Sequence, residues 1–230
     1  MNPMQRNSKN FLFLLFVTNA VVNLFGNTAG ISILSDVTKP LIVPLLLGYY
    51  VAGSDYPRSK PLMIALITCW LGDVALMFVG LKASWFMTGL VLFLAGHVFY
   101  IITYRQHRSE SDEHALLTVQ KVRFSLPVVL AGTGLLVVLF PVLSGGLKFP
   151  VVIYATAIIV MVMTAIFRFG RTNNRSYWLV LTGAVLFMVS DSILAINRFL
   201  GAIEMGGVLI MLTYIAAQYL IVEGLRRHEE

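Results

Sequence analysis

The chain alternates long apolar runs with short polar breaks from one end to the other. Runs near 20 residues, the length a helix needs to cross ~30 Å of hydrocarbon, occupy roughly 9–27, 33–53, 61–80, 84–104, 124–143, 149–169, 177–199 and 203–225. None shows the period-two alternation of a membrane β-barrel strand, and backbone in lipid must satisfy its own hydrogen bonds, so each run reads as a helix. The pattern predicts an all-α, polytopic membrane protein of eight transmembrane helices, one membrane domain over 1–230. Pro44, inside the second run, predicts a kink, and Pro40 lies close enough to that run's outer end to be tolerated.

Composition agrees with this pattern. With 58% hydrophobic and 12% charged residues over 230 positions, there is more apolar surface than a soluble domain of this size buries. Threaded through eight spans, most basic residues fall on one side: Arg6, Lys9, Arg58, Lys60, Arg105, Arg108, Lys121, Arg123, Arg168, Arg171, Arg175, Arg226 and Arg227. Lys82, Lys148 and Arg198 fall on the other, and Lys39 is left inside a span. The positive-inside rule then puts both termini in the cytoplasm, at the inner membrane if the source is bacterial. Arg6 and Lys9 before the apolar block at Phe11 also fit a signal peptide, which would leave seven spans; the charge alternation favours eight. The net charge of +6 reads as a by-product of topology, and no water-exposed face interleaves aromatic and basic residues for nucleic acid. The lone cysteine, Cys69, rules out a disulfide framework. The longest connection, Arg105 to Arg123, reads as an amphipathic cytoplasmic helix or a solvated linker.

Two segments look alike, "LGDVAL" (Leu71 to Leu76) and "VSDSIL" (Val189 to Leu194). They sit in the third members of two consecutive four-run sets, which fits a parallel 4+4 repeat, 9–104 and 124–225, about an axis along the membrane normal. Chance likeness of two oily segments accounts for the same six positions.

At ~1.5 Å per residue, Asp73 and Asp191 lie ~18–21 Å from the cytoplasmic surface, and Lys39 lies at about the same depth. His97 and Gln218 lie near ~10 Å, with Tyr100 and Tyr214 on the same helical faces. An ionised aspartate at mid-bilayer costs ~2.5–3.5 kcal/mol on insertion scales. Either these acids are structural, paired with Lys39 or capping a break in a neighbouring backbone, or they serve a cavity. Two carboxylates beside one lysine would hold one proton between them at neutral pH, the asymmetry acid–base chemistry needs.

The remaining polar residues each have two readings. His97 is a hydrogen-bonded structural residue or a catalytic one. Arg198 and Glu204 snorkel and pair at the outer surface, or Arg198 meets substrate. Asn19 and Asn23, spaced i and i+4, are interhelical glue or cavity lining. Asp36 is placed to cap the second span. No second histidine lies in a span, so neither a metal nor another cofactor is expected. There is no nucleophile elbow, phosphate loop or dinucleotide fingerprint. "LAGTGLL" (Leu130 to Leu136) carries small residues suited to helix contact.

"SDVTKPLIVPLLL" (Ser35 to Leu47), "LGDVALMF" (Leu71 to Phe78), "GLVLFLAGHVFY" (Gly89 to Tyr100), "GAVLFMVSDSILAINRF" (Gly183 to Phe199) and "YIAAQYLIVEG" (Tyr214 to Gly224) resemble, in order and spacing, the YhhN-type membrane proteins that include the lysoplasmalogenases. The resemblance implies a hydrolase that uses water to cleave the vinyl ether of a lysoplasmalogen, or a related single-chain ether lysophospholipid. The products would be a fatty aldehyde and a glycerophosphocholine or glycerophosphoethanolamine. It carries Lys39, Asp73, His97 and Asp191 over as site positions. On that reading Asp73 and Asp191 are the acid and base, Lys39 tunes them, and His97, Tyr214 and Gln218 position water or the glycerol hydroxyl. The partners implied are the lysophospholipid and the surrounding membrane lipid. The rival is a small-molecule or lipid transporter with buried charges at a repeat interface, although Pro44 has no interior counterpart in the sixth run, where Pro141 and Pro150 flank the span. A lipid sensor without catalysis is a third reading.

Overall fold

The computed structural model describes residues 3–53, 58–109 and 115–229, and nearly all of them are helical. The helices are α1 (Pro3–Ala29), α2 (Ser32–Gly53), α3 (Lys60–Met77), α4 (Ser84–Gln106), α5 (Thr118–Leu139), α6 (Gly145–Ile166), α7 (Asn174–Phe199) and α8 (Gly206–Arg226). All eight are long and apolar enough to cross a membrane. Bare apolar side chains such as Phe11, Leu14 and Val21 on α1 face outward, as they do when the solvent is hydrocarbon.

Local chemistry sets the helix starts. Ser59 caps α3 by accepting from the Leu62 N–H, with Pro61 in the first turn where a missing N–H costs nothing. Asn173 caps α7 by accepting from the Ser176 N–H at 2.7 Å. Asp36 does not cap α2, because that helix starts at Ser32, after Gly30 turns the chain with φ +69°. The Arg105–Arg123 connection is not an independent helix where it is described: residues from Thr118 onward are the first turns of α5, and 110–114 lie outside the described residues.

Side-chain bonds show that the helices alternate in direction. At one end, the Tyr49 hydroxyl donates to Glu223 (2.8 Å), Arg168 Nε donates to the His107 carbonyl (3.0 Å), and Asn173 donates to the Arg227 carbonyl (2.6 Å). These contacts gather the ends of α2, α4, α6 and α8 with the start of α7. At the opposite end the Asn197 side chain accepts from the Ile203 N–H across the α7–α8 turn. The first end, with Arg168, Arg226 and Arg227, is the basic end.

Glu223 anchors the basic end, since it also takes Arg226 (3.0 Å) and Arg227 (2.6 Å). Arg168 is fully buried there, and its second bond goes to Ser176 Oγ at 2.9 Å. Burial draws its guanidinium down to about 10, which leaves it charged at neutral pH.

Each of α1·α2, α3·α4 and α7·α8 packs as a tight pair. Small residues allow the approach: a Cβ on Gly96 of α4 would stand 2.5 Å from Cys69 Sγ, and one on Gly183 of α7 would stand 2.9 Å from the Ala217 carbonyl oxygen of α8. By contrast α5 touches the bundle along a single stripe, Ser125, Gly132 and Leu139, spaced by seven. It is the least buried of the eight spans, and α8 is the most buried.

Both Pro40 and Pro44 lie within α2. Pro44 has no N–H to give the Pro40 carbonyl four residues earlier. The indole N–H of Trp70 on α3 takes that place, donating to the Pro40 oxygen at 2.8 Å. The bond repairs the helix and ties α2 to α3 beside Lys39.

Candidate active site

Asp73 and Asp191 sit on α3 and α7, and each is held by a tyrosine from another helix. Tyr214 of α8 donates to Asp73 Oδ2 at 2.6 Å. Behind it, Gln218 Nε2 donates to the Tyr214 oxygen at 3.1 Å, and the Tyr100 hydroxyl donates to Gln218 Oε1. This chain from α3 through α8 to α4 is almost wholly closed to solvent. Its spacing is helical, since Tyr214 and Gln218 are one turn apart on α8.

Asp191 accepts from the Tyr154 hydroxyl of α6 at 2.5 Å. His97 Nε2 of α4 stands 3.6 Å from the same carboxylate oxygen. The imidazole is fully buried, and neither ring nitrogen makes a hydrogen bond. Its faces meet Phe187 (4.9 Å) and Tyr154 (5.1 Å) edge-on. A buried polar ring without a hydrogen bond is costly in a purely structural role.

Phe187 stands among the site residues, its ring against those of His97, Tyr100 and Tyr214. Among the described residues Lys39 makes no salt bridge to Asp73 or Asp191. Asp191 lines two narrow cavities, of about 50 and 60 Å³, and shares both with Tyr154, Val151 and Ala195. Asp73 lines neither cavity; one turn further along α3, Leu76 lines the first.

The other expected positions are placed elsewhere. Asn19 and Asn23 are engaged by α2: Asn19 Nδ2 donates to the Thr38 carbonyl (2.9 Å), and Asn23 Nδ2 to the Ser35 carbonyl (3.0 Å) and Thr38 Oγ1 (2.9 Å). They act as glue between α1 and α2, not as lining of the Asp191 cavities. Arg198 makes no ion pair with Glu204; its guanidinium lies over the Phe86 ring at 5.6 Å. Tyr154 is the residue that sequence reasoning missed. The available signal was a lone tyrosine midway along the oiliest of the eight spans. Among the described residues no three His, Cys, Asp or Glu side chains gather as a metal site.

Residues 34–225 match the YhhN family. Among curated proteins, the chain is 27% identical over 180 residues to "Lysoplasmalogenase TMEM86A" of Homo sapiens, covering 76% of this chain and 68% of that protein. It is 26% identical over 169 residues to the Bos taurus protein of the same name, covering 72% and 65%. The chain thus spans about two thirds of the length of these relatives. No solved structure matches it.

Proposed function

The chain belongs to the YhhN family, and on that premise we propose that it is a membrane-embedded hydrolase cleaving the vinyl ether of a lysoplasmalogen or a related single-chain ether lysophospholipid. The observation that carries this reading is the Asp191 carboxylate: it faces narrow apolar cavities among the spans, fixed by Tyr154 and backed by a buried histidine that makes no hydrogen bond. Curated relatives bearing the lysoplasmalogenase name support the substrate class.

The chemistry asks for one proton donor and one proton acceptor. Because Tyr154 occupies Oδ2 of Asp191, the deliverable proton sits on Oδ1. It goes to the β-carbon of the vinyl ether, whose π electrons form the new C–H bond while the ether oxygen shares a lone pair. The resulting oxocarbenium ion is captured at the α-carbon by water, which gives its proton back to the carboxylate with His97 orienting the attack. The hemiacetal then collapses: the Asp191 carboxyl gives its proton to the glycerol oxygen as the C–O bond breaks, and the hemiacetal hydroxyl returns its proton to the same carboxylate as the aldehyde C=O forms. Aldehyde and glycerophospho-alcohol leave. Asp73, held by Tyr214 and countered by Lys39, supplies the second carboxylate that favours the cationic intermediate, as paired carboxylates do in glycosidases.

The matched position of the two aspartates also supports the parallel 4+4 repeat, and the basic end is assigned to the cytoplasm with both termini. A fluorescent reporter fused to the C-terminus should light up only on that side.

The deciding experiment is mass spectrometry of purified protein incubated with a lysoplasmalogen and with its saturated alkyl-ether analogue. Aldehyde from the first and none from the second is expected. Intact lipid in both reactions, with uptake into vesicles, would replace this reading with transport.

A further inference from the structure

One stripe of α7 borders four cavities in file. Trp178, Leu181 and Val185 line a cavity of about 410 Å³ near the basic end, closed on its other sides by α5 and α6. Met188, Ser192 and Ala195 line the cavity of about 60 Å³ on the α5 side of Asp191. Ala195 and Phe199 line the cavity of about 50 Å³ on its α3–α4 side. Phe199, with Arg198, lines the last, about 340 Å³, at the opposite surface. The steps of three and four residues keep these positions on one helical face.

The last two cavities share a wall. Phe86 and Phe199 line both, their rings edge to face at 5.5 Å. Beyond that wall the surface cavity has Ser84 and Ser144 hydroxyls and the Arg198 guanidinium, and no acid among its lining. Arg198 also sits in the last turn of α7, two turns beyond Asp191 on the same face.

We infer that this seam is the lodging of one single-chain phospholipid, its phosphate at Arg198, its reactive bond at Asp191 and its chain running along α7 towards Trp178. The lining selects the end for the head, since Arg198 lines the outer cavity and no charged residue lines the one holding Trp178. Length selects the occupant. Asp191 stands ~20 Å along the helix from Trp178, more than the ~15 Å depth of one leaflet's chains, whereas Arg198 is ~10 Å away in the other direction, within reach of a phosphate three carbons from the ether. Width selects a single chain: the two cavities flanking Asp191 admit one chain in file, and only once α5 moves off its Gly132 contact with Ile159 and Met188. Phe86 and Phe199 are the gate through which the headgroup reaches the outer cavity.

This assignment takes its choice of lysophospholipid from the hydrolase reading, so the test uses a lipid that the protein does not cleave. A saturated alkyl-ether lysophosphatidylethanolamine with a diazirine on its last carbon is photolysed with the purified protein in nanodiscs, with and without excess unlabelled lipid, and adducts are mapped by peptide mass. Competed adducts are expected on the first half of α5 and on 169–185. Arg198→Gln should raise the half-saturating concentration at least ~10-fold and leave labelling by the matching alkylglycerol, which lacks phosphate, unchanged; Arg198→Lys should recover most of the loss. Chain-end adducts on 83–87 or 144–147, adducts confined to α1 and α2, or an Arg198→Gln variant that saturates normally would overturn the proposal. Expected labelling without vinyl-ether cleavage would remove the hydrolase reading and leave the lodging intact.

Discussion

Tyr214 donates a 2.6 Å hydrogen bond to Asp73 from a residue 141 positions further along the chain, joining α8 to α3 inside the bundle. Tyr154 does the same for Asp191 from α6. Each acid therefore has a fixed lone pair and a fixed direction, and neither relies on Lys39 for a salt bridge. Such buried hydrogen bonds orient as much as they stabilise.

If Asp191 moves the proton, Asp191→Asn should lower aldehyde release by ~10²-fold or more, the usual scale of an acid–base group. Asp73→Asn should cost at least as much as Tyr154→Phe, which leaves Asp191 in place but unaimed. The comparison is made by kcat on protein whose thermal transition is unchanged. Turnover within a factor of two for Asp191→Asn would remove that residue from the mechanism.

Trp70→Phe should destabilise the fold by ~1–3 kcal/mol, because it strands the Pro40 carbonyl in an apolar interior. Pro44→Ala supplies the missing N–H from within α2, so the same Trp70→Phe change should cost much less in that background. A double-mutant cycle on thermal or denaturant unfolding measures the difference. Equal costs in both backgrounds would show that the indole matters only for its bulk.

Gly183→Ala should cost ~1–3 kcal/mol by forcing α7 off the Ala217 carbonyl. Gly134→Ala, where an added methyl meets nothing within 4 Å, should be neutral or mildly stabilising through helix propensity. Unfolding curves of the two variants side by side test the contrast.

The basic end should weaken in acid. Burial, then the Arg168 charge, then His107 lower the His228 imidazole from 6.5 to about 4, while Thr172 Oγ1 holds its Nδ1 at 2.7 Å. His107 is lowered in the same sense, chiefly by burial. Both folded values lie below the unfolded one, so the native state binds fewer protons. The contribution is complete above about pH 6.5 and is lost as pH falls towards 4. Melting temperatures from pH 8 to 4.5 should drop across that window, and the drop should shrink in a His107→Gln, His228→Gln protein. A flat profile in the parent protein contradicts this account.

Hydropathy alone located all eight spans, because length and oiliness are properties of each segment by itself. The helices that carry Asp73 and Asp191 were legible for the same reason. What holds them was only partly so: the Tyr214–Gln218 pair shares a helix with one-turn spacing, whereas Tyr154 belongs to α6 and meets Asp191 of α7 only once the helices pack. The two asparagines of α1 illustrate the converse, since i and i+4 spacing marks a shared face but not which neighbour covers it. The Trp70–Pro40 bond had a sequence premise in Pro44, yet no local rule names the donor that fills the gap.

The narrow stripe that fastens α5 has a consequence for the setting in which the protein works. A helix held along one edge has most of its circumference bathed by annular lipid, so parting it from α7 means pushing aside ordered tails. On the lodging proposed above, acyl-chain order and lateral pressure would enter the rate directly: a stiff, saturated bilayer would slow the opening and a fluid one would speed it, with no change in any side chain.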